Sequence, residues 1–316
     1  MIDQEITLHD VVVAQGRIER YIHRTPTLTS QTLNAMAGAE LVFKCENLQV
    51  IGAFKARGAH NAVFALSAEQ RQRGVVTHSS GNHAAALALA ARNAGTLAHV
   101  VMPSNAPEPK VESVARLGGR ITYCEPTQAA REATAAAVQA ETGATLVHPF
   151  DNWQVIAGQA TAALELVQDV SGLNAIVAPV GGGGLLGGCA LVAAEHQLQV
   201  FGAEPAGADD AWRSFRRGRL EPLGDVNTIA DGLRTSLGVR PFQLIQKYVT
   251  DIATVTDEEI LQAMLLVWKI MKIIIEPSSA VPVAALLRHR FPVAGRRVGV
   301  ILSGGNVDLH ALPWTL

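Results

Sequence analysis

Short β-branched runs alternate with longer Ala- and Leu-rich segments along this chain, and that alternation limits its fold more than any other feature. Segments 41–46, 74–78, 98–102, 120–124, 146–148, 175–180, 200–203 and 297–302 read as strands. Most are apolar without a two-residue alternation, as strands buried on both faces should be. Segments 84–93, 127–142, 155–170, 185–196, 256–272 and 278–289 read as helices. Asp257, Glu258 and Glu259 open the fifth, where acids complement a helix N-terminus. Such an order builds mostly parallel sheets flanked by helices. No repeat, low-complexity tract or long linker interrupts it. The 316 residues should therefore form two contiguous lobes. The boundaries place a small mobile lobe at 74–147 and a large one at 1–73 and 148–316.

Composition narrows the function. At 48% hydrophobic residues, wholesale disorder is excluded. The 26 Lys and Arg against 28 Asp and Glu leave a net charge of −2, no footprint for nucleic acid or an anionic membrane. Cys45, Cys124 and Cys189 form no CxxC pair, which argues against a zinc knuckle or a disulfide framework and for reduced thiols. The opening MIDQEITLHD carries acids and no long apolar run, unlike a signal peptide. No charge-free apolar stretch reaches the ~20 residues of a membrane span. The expectation is a cytoplasmic protein whose partner is a small molecule.

The apolar run Val177-Ala178-Pro179-Val180 enters Gly181-Gly182-Gly183-Gly184, then Leu185 and a helix. Glycines there let successive N–H groups converge while the helix adds its positive end, a cradle for phosphate. A tight strand-to-helix turn would use the same residues. Gly182, Gly184 and Gly187 also satisfy G-x-G-x-x-G, and Glu204 follows at about the ~20-residue spacing of a ribose-binding acid, so a nicotinamide dehydrogenase stays open. A Walker A loop is excluded, since no Lys-Ser or Lys-Thr follows the glycines.

Lys55 lies in Gly52-Ala53-Phe54-Lys55-Ala56-Arg57-Gly58-Ala59. Apolar neighbours and the nearby Arg57 should lower its pKa and free the amine to attack a carbonyl; a solvated helix lysine is the plainer reading. Ser79-Ser80-Gly81-Asn82-His83 joins a strand to a helix and gathers hydroxyls, an amide and free N–H groups, suited to a carboxylate or equally to an N-cap. Ser303-Gly304-Gly305-Asn306 closes another strand, at the end where open α/β sheets bind ligands.

Together these segments resemble the fold-type II pyridoxal 5'-phosphate (PLP) enzymes, in the serine racemase and serine/threonine dehydratase branch. The anchors are Phe43-Lys44-Cys45-Glu46, the block around Lys55, Ser79–His83, the tetraglycine loop, Thr228-Ile229-Ala230-Asp231-Gly232, Glu276-Pro277 and Ser303–Asp308. Several separated motifs in family order favour PLP over a nicotinamide. The resemblance implies the two-lobed, tryptophan synthase β-like α/β fold and a homodimer. It implies that Lys55 holds PLP as a Schiff base and later acts as a base at Cα. Phe54 would pack beside the ring and Asn82 would bond its hydroxyl oxygen. Gly181, Gly182, Gly183, Gly184 and Leu185 would cradle the phosphate, and Ser303 would face the pyridine nitrogen. Ser79, Ser80, Gly81 and His83 would surround the substrate carboxylate.

A serine hydroxyl is too weak an acid to keep that nitrogen protonated, which favours α,β-elimination to a 2-oxo acid and ammonia. Ser80, on the substrate face opposite the lysine in the family, permits racemisation. Arg131 resembles an arginine that reaches a second carboxylate in relatives, which would favour threo-3-hydroxyaspartate; a solvated helix arginine is the alternative. Glu204, the Ala208 carbonyl and Asp210 resemble a divalent-cation site for Mg²⁺ or Ca²⁺. The implied activity is an ammonia-lyase acting on serine/threonine-type β-hydroxy amino acids, with possible racemisation. A PLP-binding relative without turnover is the non-enzymatic alternative. With no segment after Leu316, feedback inhibition of the kind seen in longer threonine dehydratases is not expected.

Overall fold

A computed structural model describes residues 5–309, 312 and 314. Ten strands are present: β1 Thr27–Thr29, β2 Glu40–Cys45, β3 Val75–His78, β4 Ala98–Pro103, β5 Arg120–Cys124, β6 Thr145–Leu146, β7 Ala175–Pro179, β8 Gln199–Pro205, β9 Asp251–Val255 and β10 Arg297–Leu302. The first helices are α1 Leu8–Ile18, α2 Gln31–Ala37, α3 Lys55–Phe64, α4 Ala68–Arg73, α5 Asn82–Asn93, α6 Glu108–Arg116 and α7 Gln128–Thr142. They continue with α8 Trp153–Asp169, α9 Gly184–Glu195, α10 Asp210–Arg217, α11 Val239–Tyr248, α12 Asp257–Met271 and α13 Pro277–Leu287.

The strands form two sheets, one of six strands in the order β1-β2-β10-β7-β8-β9 and one of four in the order β5-β4-β3-β6. Every pairing is parallel except β1 with β2. Strand β10 lies between β2 and β7, with Val298 opposite both Leu41 and Ala175. The central strands are buried along nearly their whole length, which accounts for their unbroken apolar runs. Helices α8 and α9 bury Ile156, Leu166, Leu186 and Cys189 in one core layer, and α13 buries Val281 and Leu286 in another.

Each sheet reverses its strand order once. From β3 the chain steps outward to β4 and β5, then returns to place β6 on the other side of β3. From β7 it steps outward to β8 and β9, then returns to place β10 on the other side of β7. Open parallel sheets bind ligands beyond the carboxyl ends of the strands that flank such a reversal. The residues there are Ser79 after β3 and His148 after β6 in one sheet, and Gly181 after β7 and Ser303 after β10 in the other.

Several elements depart from the expected positions. Strand β6 ends at Leu146, two residues early. The Val147 N–H still donates to the Val76 carbonyl at 2.9 Å, but the Val147 carbonyl meets His83 Nε2 at 3.2 Å and the Asp151 N–H donates to His148 Nδ1 at 2.9 Å, so the ladder stops there. Helix α3 escapes a periodicity search because Arg57, His60 and Asn61 are buried with its alanines, leaving no polar face. The short strand β1, the edge strand β9 and the charged helices α6 and α10 also lack an apolar run long enough to stand out.

Candidate active site

The glycine loop is built as a cradle. Gly183 takes φ +84°, and a Cβ on Gly182 would fall 2.3 Å from the Phe150 ring. A Cβ on Gly181 would meet Leu233 backbone at 2.9 Å, so the loop is pressed between two segments. Among the described residues, no acceptor takes the backbone N–H of Gly181, Gly182, Gly183, Gly184, Leu185 or Leu186. All six residues are buried. Buried N–H groups are almost always bonded, so six consecutive orphans at a helix N-terminus define a place for an anion. A phosphate monoester fits that donor set.

Lys55 is the first residue of α3, whose start is held by the Phe54 N–H donating to the Ser303 carbonyl at 3.0 Å. Its amine donates to the Pro149 carbonyl at 2.9 Å and lies 5.1 Å from the centre of the Phe54 ring. Residue 150 follows at once and its ring abuts Gly182, so the amine and the cradle share a wall. Burial lowers the Lys55 pKa to about 8, with Glu276 opposing the shift. Arg57 plays no part in this, contrary to the expectation from sequence. Its guanidinium turns away into a buried network with Glu46 and Glu165, where two carboxylates neutralise it.

Ser303 is buried, and its hydroxyl has no hydrogen-bond partner among the described residues. Beside it sits Glu276, part of the Glu276-Pro277 anchor, whose N–H donates to the Gly304 carbonyl at 3.0 Å. Asn82 Nδ2 donates to its two oxygens at 3.1 and 3.2 Å, and the Asn306 N–H donates at 3.1 Å. Asn306 Nδ2 donates to Asn82 Oδ1 at 2.9 Å, closing the ring of contacts. Burial, then repulsion from Asp231, raises the Glu276 pKa to about 7. The Asn82 amide is therefore already engaged across the cleft between the sheets.

The Ser79–His83 loop leaves β3 and enters α5 at Asn82, with Gly81 as N-cap. The Gly81 N–H donates to Ser79 Oγ at 3.4 Å, while the N–H groups of Ser80, Asn82 and His83 have no acceptor among the described residues. The His83 ring is a buried pin whose Nε2 donates its proton to the Val147 carbonyl. Burial and the neighbouring Lys55 hold its pKa well below the usual range, so Nδ1 is a lone pair that cannot donate to a carboxylate. Only the His83 backbone N–H remains for a ligand.

Arg131 lies on α7, half-buried, with Nε buried and unbonded and no ion pair among the described residues. It acts on His78, the last residue of β3. Among the described residues no group of three or more His, Cys, Asp or Glu side chains gathers in a metal-binding arrangement. Glu204 instead caps α10, accepting the Ala211 and Trp212 N–H groups at 3.0 and 2.7 Å. It faces that helix, so it offers nothing to a ribose. Asp210 Oδ2 accepts the Leu237 N–H at 2.8 Å, and Asp210 Oδ1 is buried without a partner. Ala208 is buried beside them. Burial, reinforced by other acids, raises Glu204 well above the usual range and Asp210 to about 6.

Comparison with known proteins agrees with this geometry. Residues 18–304 match the family model described as "Pyridoxal-phosphate dependent enzyme". A β-hydroxyaspartate dehydratase from Paracoccus denitrificans (strain Pd 1222) is 50% identical over 310 residues, covering 98% of each chain. The crystal structure of serine racemase from Dictyostelium discoideum superposes with a TM-score of 0.93 at 49% identity, covering 96% of this chain and 99% of that one. The maize serine racemase structure superposes with a TM-score of 0.95 at 44% identity, covering 97% and 95%. A two-lobed α/β fold, an orphaned anion cradle and a half-buried amine beside it thus meet in a chain that belongs to the fold-type II pyridoxal-phosphate dependent enzymes.

Proposed function

We propose that this chain is an ammonia-lyase that converts serine/threonine-type β-hydroxy amino acids to 2-oxo acids and ammonia. The observation that carries the reading is the half-buried Lys55 amine, which shares the residue 149–150 wall with six orphaned N–H groups. PLP, when bound, supplies an electron sink for the substrate's Cα. The residues divide the remaining work. The N–H groups from Gly181 to Leu185 hold the phosphate, Phe54 packs against the ring, and Asn82 exchanges its bonds to Glu276 for one to the ring's hydroxyl oxygen. Ser79, Ser80 and Gly81 hold the substrate carboxylate with the free N–H groups of their loop. Lys55 removes the Cα proton, and its pKa near 8 leaves part of it unprotonated at neutral pH. The unpartnered Ser303 hydroxyl bonds the ring nitrogen without protonating it, which limits charge spread and favours loss of the β-hydroxyl. Ser80 returns a proton from the opposite face, so racemisation accompanies elimination.

A second reading, threo-3-hydroxyaspartate as substrate, is favoured by the unbonded Arg131 Nε. In this proposal a divalent cation sits between Glu204, Asp210 and the Ala208 carbonyl, supported by the orphaned Asp210 Oδ1. Its role is structural. Residues 74–147 move as a small lobe against 1–73 and 148–316. The protein works as a cytoplasmic homodimer. No helix among the described residues is long and apolar enough to cross a membrane.

The test is a 2-oxo acid and chirality assay of the PLP-loaded enzyme on D- and L-serine, threonine and the 3-hydroxyaspartates. Lys55→Ala should abolish both 2-oxo acid release and borohydride trapping of the cofactor on the chain. Retained turnover with serine would refute the catalytic assignment.

A further inference from the structure

Residues 148–151 carry the chain from β6 to α8. Three sets of bonds fix this turn. Just before it, the Val147 N–H donates to the Val76 carbonyl at 2.9 Å. At its end, the Asp151 carboxylate accepts the Val239 and Arg240 N–H groups at 3.3 and 2.9 Å. In the middle, His148 Nδ1 accepts the Asp151 N–H at 2.9 Å and the Phe150 N–H at 3.4 Å. Burial lowers the His148 pKa to about 4, so Nδ1 keeps its lone pair at neutral pH.

Between those bonds lies Pro149. Its ring fixes φ, and the two N–H bonds to His148 restrict the peptides that follow. The Pro149 carbonyl therefore has one direction, and it accepts from the Lys55 amine at 2.9 Å. The Phe150 ring stands edge-on to His148, centres 4.6 Å apart, and lies against Gly182. Movement of the turn toward the phosphate cradle is thus blocked as well. His148 makes no hydrogen bond to the amine among the described residues and acts on it through the Pro149 carbonyl.

We propose that the Pro149 carbonyl is the seat of the Lys55 amine whenever that amine is not bonded to the cofactor, and that His148 is the positioning residue that holds the seat in place. The inference rests on the reading of Lys55 as the base at Cα. When Nζ takes the Cα proton, the C–H bond breaks, its electron pair stays with the substrate and the amine becomes an ammonium. Burial penalises that cation, and the carbonyl offsets the penalty by accepting from a charged donor. The same bond fixes a long side chain that would otherwise sample many rotamers.

The test is the pH dependence of imine formation between pyridoxal and the full-length chain freed of cofactor, with the Lys55→Ala rate subtracted. Only unprotonated amine reacts, so the midpoint of the rate profile reports the Lys55 pKa, about 8 in the wild type. The titratable groups that act on or feel the amine are Glu276, His83 and His148. Both histidines are neutral across this range and Glu276 is common to every variant, so they drop out of the difference. His148→Leu removes the acceptor of both N–H groups. Losing the seat should lower the midpoint by about one pH unit, the added worth of a hydrogen bond whose donor is charged. His148→Asn, whose amide oxygen accepts the Asp151 N–H as an Asx turn does, should restore it. A turn with a merely structural role gives the opposite sign, because opening the site to water moves the lysine toward its ordinary 10.5. A midpoint that stays or rises in His148→Leu, or that His148→Asn fails to restore, overturns the seat. Should His148→Leu not fold, Pro149→Gly, which frees φ, decides by the same rule. In the loaded enzyme the acidic limb of kcat for serine should move with the midpoint, and a fixed limb overturns the link to proton transfer. If no β-hydroxy amino acid yields a 2-oxo acid but the midpoint follows the variants, the seat stands and the lyase reading fails.

Discussion

Replacing Arg57 by methionine tests how the reactive lysine is held. Arg57 is fully buried and donates to Glu46 at 2.7 and 2.8 Å, to Glu165 at 2.8 and 2.8 Å and to Thr161 at 3.1 Å. Lys44 adds one bond to Glu165 at 2.6 Å, so two cations balance two carboxylates. Methionine fills much of the volume and leaves one surplus negative charge in the core. Removing one partner of a buried ion pair costs about 3–5 kcal/mol. For 316 residues the unfolding entropy is roughly 0.7 kcal/mol per kelvin, so the melting temperature should fall by about 4–8 °C. The deficit should also depend on pH. Burial pushes Glu165 up, but hydrogen bonds and charge from Arg57, then Lys44, outweigh it and hold its pKa below the usual value. In the wild type that lowered pKa contributes stability above the unfolded pKa and loses it as pH falls. In the variant, burial dominates, the folded carboxyl prefers its proton, and stability falls as pH rises. The gap between the two proteins should therefore widen from pH 5 to pH 8 in near-ultraviolet melts. Arg57→Lys should recover only part of the loss, because one ammonium cannot fork across two carboxylates. A shift below about 2 °C at pH 8, or a gap constant with pH, would refute the reasoning.

Three further outcomes are expected. Ser80→Ala should suppress racemisation of serine more than its elimination, measured as D-serine formed per pyruvate; equal loss of both would remove Ser80 from the opposite face. Glu276→Gln should flatten a pH slope of stability. Its pKa is raised from 4.5 to about 7, so the native state holds the proton across that window and wild-type stability falls as pH rises through it, by about 3 kcal/mol in urea unfolding. A slope unchanged in the variant would place that titration elsewhere. Chelation should lower the melting temperature and Mg²⁺ restore it, with Asp210→Asn insensitive to both; a wild type equally indifferent would remove the cation site.

The parallel core was legible in the sequence because strands buried on both faces carry unbroken apolar runs, as in β2, β7 and β10. The glycine cradle was legible for a related reason: a Cβ on Gly182 would strike Phe150, so the requirement is written in residue identity. Helix α3 was not, although it carries Lys55. Its polar residues face inward to partners such as Glu46 and Glu165, distant in sequence, and no periodicity reveals them. The role of Glu276 was missed for the opposite reason, although Glu276-Pro277 stands among the family anchors. Nothing in its local sequence marks a buried carboxylate, and only the approach of Asn82 and Asn306 gives it partners.

The two reversal points divide the site by task. The glycine loop, Glu276 and Ser303 belong to elements of the six-stranded sheet, whereas His78, the Ser79–His83 loop and Arg131 belong to those of the four-stranded sheet, and Lys55 opens α3, which packs on both α8 and α5. In the proposed assignments the first group holds the phosphate and the ring nitrogen, Lys55 removes the Cα proton between the two sheets, and the second group holds the substrate carboxylate, returns a proton through Ser80 and bonds the ring oxygen through Asn82. Such a division lets substitutions around one sheet change which β-hydroxy amino acid is accepted without loosening the phosphate or displacing the amine. It also makes the cross-sheet bond from Asn82 to Glu276 the joint between the two tasks. A substitution there should disturb cofactor retention and substrate affinity together.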